Sequence, residues 1–292
     1  MNRRDKLVRL MHTIVSGSYP MERLEIIIVD NCSSDDSVAT VKAKFPSVRV
    51  LQQEVNRFSA GGRSIGAAAA AGEIVFFIDD DNILDRDCVR HLVRALHDAP
   101  KLGVAAPLMM CYPKRDNIWC AGGRLNRFGN SIQLNQLPPR QDEKVSDIID
   151  GMDYFPNAFA VRRSLFMSGL CFDTVLFPHN WSEQDFGQQV KRLGFELATV
   201  RNAVTWHDSA YGYRSRITRT SPDLTFDQAR SRIVFRRKYF DSFRLWLYFW
   251  LWFFPISSGY YLWYFTRQSE FPVRTLVWAY VRGSVAGCRQ RI

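Results

Sequence analysis

The chain has 292 residues, of which 47% are hydrophobic, 23% charged and 14% aromatic, and this composition excludes a disordered, collagenous or low-complexity protein. Its net charge of +10 is unevenly spread: residues 1–212 hold 25 basic and 25 acidic side chains, whereas residues 213–292 hold 14 and 4. That distribution argues against a nucleic-acid partner, and 6 scattered cysteines without a CxxC pair fit a reducing compartment more simply than a disulfide framework.

In chain order, the basic residues 1–9 lead into 7–15, a stretch too short and interrupted for the apolar part of a signal peptide, so no targeting segment is expected. Residues 24–29 (LEIIIV) form an apolar, β-branched run ending on Asp30 and Asn31, as a buried parallel strand does when it delivers polar side chains to its carboxyl end. Residues 32–37 (CSSDDS) supply caps for a helix reaching about Lys44, and 48–52 follow as a second strand. An alanine-rich helix is expected over 61–71, then the clearest strand, 74–78 (IVFFI), closed by Asp79, Asp80, Asp81 and Asn82. Helical spacing resumes over 87–97. This strand, loop, helix order predicts an α/β architecture whose ligands sit beyond the carboxyl ends of the strands.

Further along, 104–110 reads as a strand, while 113–150 is rich in Gly, Pro and Asn with little periodicity. A helix over 184–193 ends at Gly194, a strand over 195–200 follows, and Trp206, His207 and Asp208 stand beyond it. A basic helix over 225–239 precedes 245–265, an uncharged stretch of 21 residues loaded with Trp and Tyr. Its basic flanks suggest an anionic membrane surface, and at 1.5 Å per residue it would reach about 31 Å, enough for a span, although Pro255 and Ser257, Ser258 and Gly259 argue for a kink, a re-entrant hairpin or an interfacial helix instead. The chain therefore divides into a domain at 1–212 and a basic, aromatic, membrane-associated helical tail at 213–292.

Several clusters could carry chemistry. Three adjacent carboxylates at Asp79, Asp80 and Asp81 call for a cation unless all point into water, and alternation puts Asp79 and Asp81 on one side, suited to Mg²⁺ or Mn²⁺ with phosphate oxygens. The competing account is a solvated acidic turn. Asp30 could hydrogen-bond a nucleobase or ribose, or belong to an Asx turn and helix cap. Asn56, and Arg63 after Gly61 and Gly62, precede or open the alanine-rich helix, where an anion could approach; the pattern is not a dinucleotide fingerprint. Glu183 and Asp185 in the first turn of a helix suit a general base, or serve as caps. His207 is a metal ligand, with Asp208 as its supporting partner, or an edge histidine.

In order and spacing, four pieces resemble the family 2 glycosyltransferases, an inverting group with the GT-A fold: 25–37 (EIIIVDNCSSDDS), 54–82 (EVNRFSAGGRSIGAAAAAGEIVFFIDDDN), 182–195 (SEQDFGQQVKRLGF) and 202–207 (NAVTWH). The resemblance implies a Rossmann-like mixed central sheet flanked by helices. It makes Asp30 the nucleobase contact, and Asp79 and Asp81 the outer members of a DxD signature, with Asp79 toward the nucleoside and Asp81 on the metal. It also implies Glu183 as the base, Asp185 as an acceptor-orienting or backup carboxylate and His207 as a further metal ligand. Two departures stand out. Ser182 occupies the place where the family usually has Glu, with Glu183 where it has Asp. The family's first strand also has no counterpart ahead of the helix expected over 3–15, so either the start was assigned too late or the chain is truncated and of doubtful activity.

The reaction so implied is metal-dependent, inverting transfer from a nucleotide-diphosphate sugar to a hydroxyl of a lipid-linked or polysaccharide acceptor, of the rhamnosyltransferase or glycolipid-assembly type. The tail would hold the enzyme at a membrane, with the catalytic domain in the cytoplasm. An impaired, membrane-associated scaffold and a sugar-phosphate nucleotidyltransferase are the alternatives.

Overall fold

The computed structural model describes residues 1–113, 116–137, 147–208, 221–267 and 271–292. Its amino-terminal elements follow the sequence closely: α1 (Arg4–Val15), β1 (Ile27–Asp30), α2 (Ser37–Lys44), β2 (Arg49–Gln52), α3 (Phe58–Ala69), β3 (Ile74–Ile78), β4 (Asn82–Leu84) and α4 (Cys88–Asp98). Then come β5 (Leu102–Cys111), β6 (Ile118–Cys120), β7 (Gly123–Leu125), β8 (Ser131–Gln133), β9 (Ile148–Ile149), β10 (Ala158–Arg162), α5 (Ser164–Met167), α6 (Ser182–Arg192) and β11 (Glu196–His207). Gly194, at φ +84°, supplies the left-handed turn that ends α6.

A seven-stranded mixed sheet runs β3-β10-β5-β11-β4, with β6 on β5 and β9 on β11. β5 and β11 are parallel, whereas β10 lies antiparallel to both β3 and β5. The expected α/β fold with a mixed sheet is therefore present. Strand β11 extends further than expected, because Val204 to His207 stay in register with Leu108 to Cys111 after a bulge. His207 thus ends a strand instead of following one. The loosely patterned 113–150 region contains three-residue strands, too short for alternation to reveal.

β1 and β2 form a separate parallel pair, and among the described residues no strand lies between β1 and β3. α1 and α3 pack beside that gap: Met11 joins Val41, Phe45 and Val48 in one apolar cluster, and Ala60 joins Phe77 in another.

The carboxyl-terminal part corrects the sequence reading. After α7 (Pro222–Tyr239), the uncharged stretch keeps helical backbone while its pattern changes from α8 (Ser242–Leu247) through a π-helical segment (Tyr248–Ser257) to α9 (Ser258–Thr266), followed by α10 (Val273–Arg289). Among the described residues no helix is long and apolar enough to cross a membrane, and this overturns the expected membrane-associated tail and membrane localisation. Some of the aromatic side chains pack inward, while Trp246, Trp250, Tyr260 and Trp263 stay exposed. Tyr248, Phe253 and Phe265 are buried, and Arg232 donates to Ser257 Oγ and Tyr280 OH at 2.7 Å each, with the rings of Tyr261 and Phe253 at 4.8 and 5.6 Å. Ring faces thus surround a cation that sits on α7. The boundary expected at 212/213 lies outside the described residues.

Candidate active site

Two strand ends and one helix build the site. Asp30 closes β1, is 8% exposed, and accepts a hydrogen bond from the Ser33 amide at 3.1 Å, which orders the following turn. Asn31 donates to the Phe58 carbonyl at 3.0 Å, fastening that turn to the start of α3. On the second turn of α3, the buried Arg63 reaches Asp79 Oδ1 at 3.2 Å and Glu183 Oε1 at 2.6 Å. Burial works against the Arg63 charge, but the two carboxylates more than offset it and raise its pKa. A cavity of about 810 Å³ is lined by Asp30, Asn56, Arg63 and Asp79 together, and by His179, which the sequence reading did not single out.

The turn after β3 is held by Asn82, which is fully buried and donates to the Asp79 carbonyl at 3.0 Å. Asn82 also stands opposite His207 in the pairing of β4 with β11, so one ladder sets the imidazole beside the acidic turn. His207 Nε2 lies 3.4 Å from Asp81 Oδ1, an oxygen that is buried and accepts no hydrogen bond. Trp119 packs against the imidazole with ring centroids 4.2 Å apart. Asp208 turns away from it: its carboxylate pairs with Arg9 and Lys6, so His207 Nδ1 lacks the support expected from Asp208.

Among the described residues no group of three or more His, Cys, Asp and Glu side chains is gathered to hold a metal. Asp81 and His207 nevertheless make a fitting pair, because a carboxylate oxygen and an imidazole nitrogen are donors that Mn²⁺ accepts alongside phosphate oxygens and water. Arg3 is a further participant that the sequence did not flag; it donates to Asp80 at 2.9 Å and to Asp81 Oδ2 at 2.8 Å. Burial tends to raise the Asp81 pKa, but His207 and Arg3 outweigh it and hold the carboxylate below its usual range.

Glu183 and Asp185, two residues apart, have different surroundings. Glu183 is part-exposed; besides Arg63 it accepts from Ser182 Oγ at 3.0 Å, leaving lone pairs free on Oε2. Asp185 is fully buried and engaged by Lys238 Nζ at 2.8 Å, Tyr239 OH at 2.8 Å and Gln189 Nε2 at 2.7 Å. It therefore fastens α6 to α7, with no free face toward an acceptor.

The sequence profile of Glycosyl transferase family 2 matches residues 1–170, and the chain belongs to that family. An uncharacterized glycosyltransferase of Haemophilus influenzae is 27% identical over 101 residues, covering 35% of this chain and 33% of that protein. The succinoglycan biosynthesis protein ExoO of Rhizobium meliloti is 30% identical over 138 residues, covering 47% of this chain and 37% of that protein. The chain thus spans about a third of the length of these curated relatives. Among solved structures, GalNAc-T7 with UDP, GalNAc and Mn²⁺ superposes with a TM-score of 0.65 at 14% identity, over 95% of this chain and 51% of that one. The mannosyltransferase PcManGT of Pyrobaculum calidifontis, in complex with GDP-Man and Mn²⁺, gives 0.52 at 15% identity, over 98% and 71%. These likenesses establish the GT-A-like fold.

Proposed function

We propose that this family 2 protein transfers a sugar, with inversion, from a nucleotide-diphosphate sugar to a hydroxyl of a glycan. The observation that carries the reading is the convergence of Asp30, Asn56, Arg63 and Asp79 on one cavity, with Glu183 tied to it through Arg63. Asp30 suits the nucleobase, and Asp79 and Arg63 suit the ribose and phosphates. Asp81 and His207 are the residues that would hold Mn²⁺ or Mg²⁺, and a bound cation would offset the charge of a departing diphosphate.

Glu183 accepts the proton of the acceptor hydroxyl through Oε2, while Arg63 and Ser182 fix its orientation. The hydroxyl oxygen bonds to the anomeric carbon as the bond to the nucleoside diphosphate breaks, and this single displacement inverts the centre. ExoO, named for succinoglycan biosynthesis, makes a polysaccharide hydroxyl a suitable acceptor class to try first.

The test incubates the protein with a panel of nucleotide sugars, a glycan acceptor extract and Mn²⁺ or Mg²⁺, and measures released nucleoside diphosphate. Glu183→Gln is expected to lower turnover by a factor on the order of 10²–10⁴ with little change in donor binding. Equal turnover in the two proteins would remove Glu183 from the mechanism. A second reading, donor binding without turnover, is favoured by Arg3 lying across Asp80 and Asp81. Calorimetric binding of a nucleotide sugar with no release from any donor would establish it.

A further inference from the structure

The helix that presents Glu183 starts from a strained residue. Trp181, at the N-cap of α6, has φ +69° and ψ 5°, a left-handed conformation that glycine adopts freely and a bulky side chain does not. No side chain caps this helix end, and the Trp181 carbonyl accepts from the Asp185 amide at 3.0 Å, so the angle at Trp181 sets the direction in which α6 begins. Ser182 and Glu183 follow directly, with Ser182 Oγ donating to Glu183 Oε2 at 3.0 Å. A conformation of this kind persists only where the surroundings over-determine it.

Those surroundings belong largely to α7. The Trp181 ring packs on Phe235 with centroids 4.9 Å apart, and the Arg236 guanidinium stands between two rings, 5.2 Å from the centroid of Trp181 and 4.2 Å from that of Tyr248. Arg236 is fully buried and is itself fixed. It donates to the Arg232 carbonyl at 2.7 Å and, in the turn between β7 and β8, to the Phe128 and Gly129 carbonyls at 2.9 and 3.0 Å and to Asn130 Oδ1 at 2.7 Å. None of these partners is a carboxylate, and burial pushes the Arg236 pKa down to about 10. An apolar side chain of similar size would avoid the cost of a buried charge, so stability alone does not account for an arginine here. Helix α7 holds the neighbouring residues as well: Asp227 accepts from Asn180 Nδ2 at 2.6 Å, and Lys238 and Tyr239 engage Asp185. Residues 180, 181 and 185 are thus held on both sides of Glu183, whose carboxylate is left to face Arg63.

We infer that Trp181 and Arg236 are positioning residues for Glu183: the guanidinium, locked to the β7–β8 turn, clamps the indole ring and so fixes the left-handed turn from which the Glu183 carboxylate is aimed. Both lie beyond residues 1–170, which the family profile matches. The bearing of this clamp on turnover rests on the proposed role of Glu183 as base. Aim matters there because a displacement of about 1 Å in a reacting group can lower a rate by about 10²-fold.

The test compares Trp181→Gly, Trp181→Phe and Arg236→Met in the full chain, with nucleoside diphosphate release as the assay. Glycine keeps the left-handed turn free of strain and removes only the ring. Trp181→Gly and Arg236→Met are expected to lower kcat by about 10–100-fold with the donor KM changed less than about twofold, while Trp181→Phe, which keeps a ring, stays within about threefold of the unmodified chain. In a Glu183→Gln background, Trp181→Gly should add no further loss, because a residue that acts through Glu183 has nothing left to aim. Losses that multiply, or a kcat unchanged by Trp181→Gly, overturn the proposal. Amide exchange at residues 182–185 separates this outcome from failure of the base reading: in Arg236→Met it should quicken by about tenfold or more while α4 is unchanged. Equal exchange in the variant and the unmodified chain overturns the clamp even if no donor is turned over, whereas faster exchange with a fully active Glu183→Gln upholds the clamp and removes only the base. Should Arg236→Met fail to fold, Trp181→Gly is measured in its place.

Discussion

Strands β5 and β10 are as apolar as β1 and β3, yet Leu102 to Met109 and Ala158 to Val161 are buried throughout, while most of β1 and β3 stays part-exposed. The difference lies in the neighbours. β10 is flanked by β3 and β5, and helices close its faces, whereas among the described residues no strand lies between β1 and β3. Burial is therefore a property of the assembly around a strand, and equal hydrophobicity does not guarantee equal contribution to stability.

The comparison can be broken most sharply by truncating one residue on each side. Phe159→Ala in β10, which removes a buried ring packed against Phe77 and Phe186, is expected to cost about 3–5 kcal/mol in chemical denaturation. Ile28→Ala, in the part-exposed β1, is expected to cost only about 1 kcal/mol. Equal losses would mean that the gap between β1 and β3 closes in solution.

The next effect concerns the joint between α6 and α7. Asp185→Asn is expected to cost about 2 kcal/mol, less than a fully enclosed ion pair, because Lys238 keeps Asp173 at 3.1 Å. The joint also has a pH signature. Burial pushes the Lys238 pKa down, but Asp185 and Asp173 push it further up, so the folded value lies above the ordinary one. A raised folded pKa gives a contribution that is complete below the ordinary lysine value and is lost as pH rises through the folded one. Alkaline stability curves should therefore fall more steeply for the unmodified chain than for Lys238→Met.

A last pair of effects compares two helical glycines. A Cβ on Gly187 of α6 would fall 1.8 Å from the Asp153 carbonyl oxygen, whereas one on Gly66 of α3 meets nothing closer than 3.5 Å. Gly187→Ala is expected to destabilise by about 1–3 kcal/mol, and Gly66→Ala to stabilise by about 0.5–1 kcal/mol through helix propensity. Thermal melts of the two variants should thus move in opposite directions, and a melt lowered by Gly66→Ala would show that α3 packs more tightly on β1.

Much of the fold was legible in the residues. IVFFI before three aspartates and IIIV before Asp30 announce strands by unbroken apolar runs; the first lies where that reading puts it, and the second begins three residues later than expected, at Ile27. Acidic residues in its first turn and a terminal glycine delimit α6. The hairpin strands of 113–150 were not legible, because three residues are too few to establish a period. The tail was misread for a different reason. Uncharged aromatic sequence looks alike whether its rings meet lipid or cover an arginine, and Arg232 on α7 meets Tyr280 48 positions later.

The sequence by itself determined which side chains stand at the strand ends, since a strand's period and its closing polar residues are local properties. Asp30, Asp79 and Asp81 followed from that alone. Only the tertiary structure decided what each of them meets. Arg63 joins Glu183 across 120 positions, Asp185 is taken up by Lys238 and Tyr239, and Arg3 reaches Asp81 across 78.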